Sequence, residues 1–272
     1  MKRVAVLGAR GMLGHAVSEY FSRAQNEVVR IGRAEYDIAR DPLEELERRL
    51  GDSRHVINCA GVIKPRVAEM PVEDVLKVNA IFPRNLARLC TVTDRRLFHV
   101  TTDCVYSGSK GGYTEADYFD AEDVYGLSKN AGDAADCMVL RTSIIGEEEG
   151  QSRSLLEWAR SQAGKSVNGF TNHRWNGVTT VYLAEVIDRI IDEGLYERGT
   201  FHIHSRESVD KFELLSLIDE VYGLRLKIAP ASAESACDRC LGSIHPLSSK
   251  VCTRSLRQQV EEMRRFFEAR LG

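Results

Sequence analysis

Several features that mark other protein classes are missing from this chain of 272 residues. No apolar run approaches the roughly 20 residues that a membrane-spanning helix requires. The first apolar stretch, residues 4–7, ends at Gly8 and is too short for the hydrophobic segment of a secretion signal. The seven cysteines are odd in number and widely spread, which is typical of reduced thiols rather than of a disulfide framework. We therefore expect a cytoplasmic protein with no membrane partner.

The chain also lacks an excess of charge of either sign. Its 37 basic and 40 acidic residues are interspersed and give a formal net charge of -3, so no field attracts nucleic acid or an anionic membrane. There are only six prolines, and no proline-rich or glycine-rich linker separates independent domains. The hydrophobic content of 43% is enough for a sizeable core. These properties favour a small-molecule partner.

Short apolar and β-branched runs alternate with helical patterns through the first two-thirds of the chain, as in βαβ units. The predicted fold class is α/β, a Rossmann-type doubly wound parallel sheet with a small C-terminal α/β substrate-binding region. We predict one long helix over residues 72–89 and a substrate-facing insert over 164–175. The predicted division is 1–146 with about 177–206 for nucleotide binding, and about 147–176 with 207–272 for substrate binding.

A glycine-rich turn follows the first predicted strand. Its spacing, Gly8-x-x-Gly11-x-x-Gly14, is less specific than G-x-G-x-x-G, but it lies between a strand and a helix as dinucleotide binding requires. Glycines let the backbone approach a pyrophosphate, and the unpaired N–H groups of the helix N-terminus bind it. The residues of this turn that we predict to contact a cofactor are Gly8, Arg10, Gly11, Met12 and Leu13.

The end of the second predicted strand is basic rather than acidic. An acid here typically binds the ribose hydroxyls of NAD, whereas a basic residue accepts the 2′-phosphate of NADP. Arg30 and Arg33 occupy this place with no acid before Glu35, and Arg10 adds a further charge. All three arginines fit a solvated surface equally simply. We predict NADPH as the cofactor, with its 2′-phosphate bound by Arg33, and NADH as the alternative.

Small residues follow the third predicted strand, where the chain passes the nicotinamide side of a bound dinucleotide. We expect Cys59, Ala60 and Gly61 at this place, with Lys64 and Asn79 within reach of the cofactor. Lys64 also fits a surface lysine and Asn79 a polar residue on a helix face. These five residues complete the predicted cofactor site.

Tyr125 and Lys129 have the spacing of neighbours on one helix face, one turn apart. A tyrosine has an ordinary pKa near 10 and needs help to act as a general acid–base at neutral pH. A nearby ammonium favours the phenolate and can also hold ribose hydroxyls. This pair therefore predicts a proton donor, Tyr125, and a residue that both tunes it and binds the cofactor, Lys129.

Thr102, Asp103 and Cys104 end the predicted fourth strand, at the carboxyl edge where ligands bind in open α/β sheets. A hydroxyl at this edge can donate to a carbonyl oxygen as negative charge develops on it, and we assign that role to Thr102. If the strand continues, Cys104 points to the same side as Thr102. Two interpretations of the Cys104 thiol are then possible: it carries a proton, or it is a small buried apolar group.

Together these motifs resemble the extended short-chain dehydrogenase/reductase family, and in particular its branch similar to dTDP-4-dehydrorhamnose reductase. The resemblance covers essentially the whole chain. It is carried by Gly8-Ala9-Arg10-Gly11-Met12-Leu13-Gly14, Thr101-Thr102-Asp103-Cys104-Val105-Tyr106-Ser107-Gly108, Tyr113-Thr114-Glu115, Val124-Tyr125-Gly126-Leu127-Ser128-Lys129 and Leu140-Arg141-Thr142-Ser143.

The resemblance implies NADPH-dependent reduction of the 4-keto group of a deoxysugar linked to dTDP, UDP, GDP or CDP. Thr102 would hold the keto oxygen, Tyr125 would protonate it, and Lys129 would bind the ribose. A homodimer is also expected. The predicted substrate-binding residues are Thr102, Asp103, Cys104, Val105, Tyr106, Thr142, Ser143, Trp175 and Arg239.

Two alternatives stay open at this point. GDP-fucose synthases, which epimerise and reduce, carry a cysteine two places after the catalytic hydroxyl residue, as Cys104 follows Thr102 here, and His173 would be a second proton carrier. Other proteins of this fold bind NADP as regulatory subunits without turnover, although they tend to lose the Tyr–Lys pair that this chain retains.

The C-terminal cysteines have a spacing that resembles a zinc site. Cys237 and Cys240 are followed by His245 and Cys252. In the family that the chain resembles, this place holds an Asp-Arg-x-Leu stretch whose arginine helps to shape the substrate pocket. We therefore predict no metal, and a substrate role for Arg239.

Overall fold

The computed structural model describes residues 1–133, 136–148 and 154–269. Through the first half, strands and helices alternate as predicted, with a π-helical turn at Lys77–Ile81 and a 3₁₀ turn at Asp103–Val105. The elements are β1 (Arg3–Leu7), α1 (Met12–Arg23), β2 (Glu27–Ile31), α2 (Leu43–Leu50), β3 (His55–Asn58), α3 (Lys64–Val67), α4 (Val72–Leu76), α5 (Phe82–Val92), β4 (Arg96–Thr102), α6 (Val124–Gly132) and β5 (Met138–Thr142).

The second half continues with shorter strands between longer helices. Its elements are β6 (Ile144–Ile145), α7 (Leu155–Ser161), β7 (Ser166–Phe170), β8 (His173–Trp175), β9 (Val178–Thr179), α8 (Thr180–Asp192), β10 (Gly199–His202), β11 (Val209–Asp210), α9 (Lys211–Tyr222), β12 (Lys227–Ala231), β13 (Cys237–Asp238), α10 (Leu247–Val251) and α11 (Leu256–Glu268).

The main sheet has six strands in the order β10-β5-β4-β3-β1-β2, and every neighbouring pair is parallel. The strand order reverses between β1 and β3, which creates a crevice at their carboxyl ends. The predicted Rossmann-type fold is confirmed. Its geometry brings the glycine turn after β1 next to the small residues after β3.

Helices cover both faces of this sheet, which explains why its central strands are apolar along their whole length. On one face, residues of α1 and α8 such as Val17 and Leu183 are fully buried against the strands. On the other, Leu46 of α2 and Leu86 of α5 are fully buried. The resulting core holds the carboxyl ends of the strands in a rigid row.

A third apolar cluster lies under the C-terminal part of the chain, where α7, α9 and α11 pack together through Leu156, Leu214 and Val260. Around it lie three small sheets, β7 with β12, β8 between β11 and β13, and β6 with β9. The predicted insert at 164–175 thus contains two strands, β7 and β8, joined to later parts of the chain.

The predicted uniform helix over 72–89 was wrong at its centre, because a π-helical turn separates α4 from α5. The extra residue in that turn orients Asn79 inward, where it is fully buried. Its side chain exchanges hydrogen bonds with the backbone of Val62, at 2.8 and 3.1 Å. In the part of the chain that the structure describes, no helix is long and apolar enough to cross a bilayer.

Candidate active site

The glycine turn approaches the loop after β3 so closely that side chains are excluded. Gly8 has a left-handed φ of +72°, and a Cβ on it would lie 2.8 Å from the Ala60 backbone nitrogen. A Cβ on Gly14 would lie 2.1 Å from the Gly8 carbonyl oxygen, because α1 packs directly on the turn. These contacts explain the need for glycine at both places and leave the turn open toward the crevice.

The N-terminus of α1 is available to a ligand. Its cap residue, Gly11, provides no side-chain hydrogen bond to the first turn. The free N–H groups and the helix dipole suit a pyrophosphate. The Leu13 side chain lies in the core, so this predicted cofactor residue faces a ligand through its backbone. The next residue toward the turn, Met12, is only partly buried.

Beside the turn lies a cleft of ≈ 440 Å³ that extends past the end of β2. Arg10 and Arg33 both line it, and their side chains are 73% and 65% exposed. Arg10 pairs with Glu35 at 2.6 Å and Arg33 with Asp37 at 3.3 Å. By contrast, Arg30 pairs with Glu19 of α1 at 2.9 Å.

The sequence reasoning missed much of this cleft. Additional lining residues are Tyr36, Asp37, Ile38, Ala39, Arg40, Arg66, Met70, Asp74, Lys77 and Val78. Most lie in the connections after β2 and β3, where no strand or helix periodicity signals a site. With five basic and two acidic residues, the lining of the cleft fits an anionic cofactor.

The loop after β3 forms the opposite wall of the crevice. Cys59, Ala60 and Gly61 line it together with Gly8. Asn79 holds the loop through Val62 and also donates to the Ser128 hydroxyl at 3.1 Å. Lys64, the remaining predicted residue of this group, is exposed and pairs with Asp123 at 2.7 Å.

Helix α6 places Tyr125 beside the end of β4 and Lys129 beside the loop after β3. Asp123 caps the helix by accepting from the Gly126 backbone N–H at 2.9 Å, which sets where the helix begins. Lys129 is only 7% exposed, and a Cβ on Gly61 would lie 2.6 Å from its Nζ. Its ammonium therefore faces the loop after β3, at the side of the crevice where a nicotinamide ribose would lie.

The electrostatics of this pair are set by burial. Burial raises the pKa of the Tyr125 phenol, and the neighbouring Cys104 thiol and Asp103 carboxyl raise it further, while a hydrogen bond with Thr102 lowers it. Burial lowers the pKa of Lys129, whereas the Asp133 carboxylate raises it. Tyr125 thus holds its proton beside the Thr102 hydroxyl, and the expected lowering of its pKa by Lys129 does not dominate, since the shift is upward. Its role as the proton donor stays a prediction.

The chain turns at the end of β4 in a way that the sequence reasoning did not foresee. The strand does not continue through Cys104, which was the condition for Cys104 to share a side with Thr102. Residues Asp103–Val105 instead form a 3₁₀ turn, which the Thr102 hydroxyl caps by accepting from the Cys104 N–H at 3.1 Å. Burial and the Asp103 carboxyl raise the pKa of the Cys104 thiol to about 11. A thiol in this state is a poor proton carrier at neutral pH.

The predicted substrate residues divide into two groups. The side chains of Val105, Tyr106 and Thr142 are buried in the interior, and Tyr106 stacks on Tyr113 with ring centroids 4.3 Å apart. These three residues can face a ligand mainly through their backbone. The other predicted substrate residues are Thr102, Asp103, Cys104, Ser143, Trp175 and Arg239.

Several members of the second group are linked to one another. Trp175 donates through Nε1 to the Ser143 hydroxyl at 2.9 Å. Asp103 is buried, which raises the pKa of its carboxyl, while Arg239 lowers it. Arg239 itself donates through Nε to the Tyr106 carbonyl at 2.7 Å. The structure therefore brings β4, β8 and the segment after β13 together beside Tyr125.

One further cation at this site was missed. Lys211, the first residue of α9, lies with its Nζ 5.5 Å from the centroid of the Trp175 ring. Burial lowers the pKa of its ammonium, and Asp103 and three nearby thiols, Cys104, Cys237 and Cys240, raise it. In sequence, a lysine at a helix start looks like an ordinary surface residue, so no pattern marks it.

The C-terminal cysteines are used in packing and pairing. Cys237 lies in β13 and pairs with His173 of β8, whose ring faces the Ser235 carbonyl at 3.0 Å. Cys240 is buried near the Ser208 hydroxyl, and His245 packs on Phe201. Within residues 1–133, 136–148 and 154–269, no three His, Cys, Asp or Glu side chains group as a metal site.

Comparison with known proteins agrees with this geometry. A family model described as the RmlD substrate binding domain matches residues 1–271. The dTDP-4-dehydrorhamnose reductase of Mycolicibacterium smegmatis is 26% identical over 231 residues, which cover 82% of this chain and 70% of that protein. Methionine adenosyltransferase 2 subunit beta of Rattus norvegicus is 24% identical over 248 residues, covering 82% and 73%.

Solved structures share the fold. The structure of dTDP-4-dehydrorhamnose reductase from Bacillus anthracis str. Ames in complex with NADP has a TM-score of 0.83 and 21% identity, and the match covers 98% of this chain and 99% of that one. At this identity the likeness establishes a common fold.

Proposed function

Because the chain belongs to the RmlD substrate binding domain family, within the extended short-chain dehydrogenases/reductases, we propose that it reduces the 4-keto group of a dTDP-linked deoxysugar with NADPH. The protein is an oxidoreductase, and NADPH is its cofactor. Two observations carry the proposal: the hydrogen bond of Tyr125 with Thr102 at the end of β4, and the approach of the Lys129 Nζ to Gly61 in the loop after β3.

The residues of the crevice fit a dinucleotide. Gly8 and Gly11 leave the backbone open at the N-terminus of α1, where the pyrophosphate would be held. Arg10 and Arg33 are exposed at the cleft, where they would bind the 2′-phosphate. The Lys129 ammonium beside Gly61 would hold the ribose of the nicotinamide half. When bound, NADPH supplies a hydride to the carbonyl carbon of the sugar.

Two side chains of the protein then stabilise and protonate the carbonyl oxygen of the sugar. Thr102 donates a hydrogen bond to it as negative charge grows, and Tyr125 transfers its phenolic proton to it. Burial keeps Tyr125 protonated beforehand, since it raises the pKa of the phenol. The positive charge of Lys129 stabilises the phenolate that remains.

We assign substrate recognition to residues 147–176 and 207–272 together with the end of β4. Arg239 and Lys211 both lower the pKa of the buried Asp103 carboxyl, so two basic side chains lie near this one acid. A site with more basic than acidic side chains suits a sugar diphosphate. The relatives named as dTDP-sugar reductases support dTDP as the nucleotide, with UDP, GDP and CDP as the alternatives that a substrate panel distinguishes.

The test is to incubate the protein with NADPH and a panel of 4-keto-6-deoxy nucleotide sugars and to follow the absorbance of the reduced cofactor. We expect oxidation with the dTDP-linked sugar and a product reduced at C4. Tight NADPH binding without turnover on any sugar would instead support a non-catalytic regulatory subunit; the relative from Rattus norvegicus is named as a subunit, subunit beta of methionine adenosyltransferase 2. Solvent deuterium at C3 or C5 of the product would support the epimerase-reductase with Cys104.

We also propose a homodimer that acts in the cytoplasm. Large apolar side chains are exposed near α4 and α6, among them Val72 (51%), Ile81 (52%) and Leu127 (53%). All seven cysteines are unpaired, which supports a reducing compartment. Light scattering on the wild type and on Ile81→Glu with Leu127→Glu tests the dimer, and a wild-type monomer would refute it.

A further inference from the structure

Helix α6 places a second charged residue one turn beyond Lys129. Asp133 follows it by four residues, at the end of the helix, so the two side chains lie on the same face. The Asp133 side chain is only 4% exposed and Lys129 is 7% exposed. Two ionisable side chains of opposite type are therefore buried on one face of α6.

Asp133 also contacts a buried arginine. Its Oδ2 accepts from Arg141 Nη2 of β5 at 2.7 Å, and the Arg141 side chain is 1% exposed. The second oxygen, Oδ1, lies 3.9 Å from Nε2 of His99 on β4. The carboxyl group that Arg141 contacts thus also lies on the helix face of Lys129 and raises the pKa of that lysine. Burial raises the pKa of Asp133 itself, whereas Arg141 and Lys129 lower it.

The other groups around Lys129 do not offer a negative charge. Burial raises the pKa of the Cys59 thiol at the end of β3, which keeps it neutral. Burial and the Lys129 charge lower the pKa of His99 to about 3, so its ring is neutral as well. The Tyr125 phenol is protonated, and Asn79 of the π-helical turn carries no charge. The carboxylate that compensates Lys129 from these surroundings is that of Asp133.

A buried lysine without a nearby anion tends to lose its proton, because burial penalises the charged form. A neutral Lys129 would no longer stabilise the Tyr125 phenolate. We propose that Asp133 is a positioning residue that acts through its charge: it helps to keep Lys129 protonated from the same face of α6, without a direct ion pair. Only the expected effect on turnover rests on the proposed function. The charge of Lys129 is a property of the protein without ligand and can be measured separately.

Asp133 has a competing, purely structural use. Arg141 Nη1 lies 3.1 Å from His202 Nε2 and 3.4 Å from the Tyr106 hydroxyl, so the Asp133–Arg141 pair also ties β5 to the neighbouring edge of the sheet. If anchoring Arg141 were the whole role of Asp133, removal of the carboxylate would lower stability without changing the titration of Lys129. The experiment must separate these two effects.

The direct measurement is the titration of Lys129 in the ligand-free protein, by carbon-13 NMR of labelled lysine side chains, with the Lys129 signal assigned from Lys129→Arg. We expect wild-type Lys129 to be protonated at neutral pH. In Asp133→Asn its pKa should fall by about one unit or more, a tenfold change in the protonation equilibrium. Asp133→Glu should restore most of the wild-type value, since it returns the charge.

A matched control is Glu147→Gln. Glu147 is also largely buried and pairs with Arg160 at 2.9 Å and with the Tyr222 hydroxyl at 2.9 Å, far from Lys129. The Glu147→Gln variant should have a lower melting temperature and an unchanged Lys129 titration.

In kinetics, Asp133→Asn should shift the alkaline limb of kcat/KM for the sugar to lower pH, because the active form requires the Lys129 proton.

Two results would overturn the proposal. One is a folded Asp133→Asn protein whose Lys129 titrates as in the wild type. The other, which needs no variant to fold, is a wild-type Lys129 that is already neutral at pH 7. Absence of turnover on every sugar, with the expected titrations, would count against the proposed function and leave the role of Asp133 standing.

Discussion

The cofactor cleft and the catalytic cluster use charge in opposite ways. In the cleft, Arg10 and Arg33 are 73% and 65% exposed and pair with carboxylates at the surface. In the cluster, Lys129 is 7% exposed and Asp133 is 4% exposed. Water and salt screen the first set strongly and the second set little. Exposed charges therefore suit discrimination between NADPH and NADH. Buried charges instead set the protonation states of the side chains proposed to take part in the reaction.

The largest effect should come from removing the buried acid. Tyr125→Phe keeps the ring and deletes the phenolic proton, so we expect turnover to fall about a thousandfold. NADPH affinity, measured by the fluorescence of the reduced cofactor, should change by less than about twofold, since the ring still fills its place. A variant that retained wild-type turnover would mean that another group donates the proton.

The next effect concerns the hydroxyl beside it. Thr102→Val is nearly isosteric and removes the donor to the carbonyl oxygen, so kcat should fall about a hundredfold. The variant also loses the cap of the 3₁₀ turn. Thr102→Ser, which keeps both hydrogen bonds, serves as the control and should retain most activity. Equal losses in the two variants would indicate a packing role for Thr102.

In the cleft, the expected effect is smaller and depends on salt. Arg33→Asp should raise the KM for NADPH about tenfold and lower that for NADH, because the 2′-phosphate loses a cation and the ribose gains an acceptor. The change for NADPH should shrink as salt rises. Arg30→Asp, which alters the arginine paired with Glu19, is the matched control. No swing between the cofactors would remove Arg33 from the site.

The smallest effect should come from Lys64. Its ammonium is 53% exposed and engaged with Asp123, and exposed ion pairs contribute about 0 to 1 kcal/mol. Lys64→Ala should change the KM for NADPH by less than about twofold. A larger rise in KM would show that Lys64 leaves Asp123 when the cofactor binds, as the sequence-based prediction requires.

The pattern of the chain predicted the fold well where local signals agree with tertiary packing. The buried strands β1, β3 and β5, the glycine turn and the start of α6 follow from apolar runs, positive φ and capping. The π-helical turn escaped prediction, because its Asn79 is held by buried hydrogen bonds to Val62, in a separate segment of the chain. The 3₁₀ turn after β4 escaped for a similar reason, since a strand-like run precedes it.

What the sequence by itself determined is the Rossmann-type sheet, the glycine turn between β1 and α1, and the Tyr125–Lys129 pair on one helix, because strand alternation, glycine spacing and helical periodicity are local properties. Only the tertiary structure decided which charges share a buried space. The charge of Asp103 acts on Lys211, more than a hundred residues later in the chain, and Asp133 contacts Arg141 while its charge also acts on Lys129. Burial and charge compensation arise between distant segments, so no local pattern encodes them.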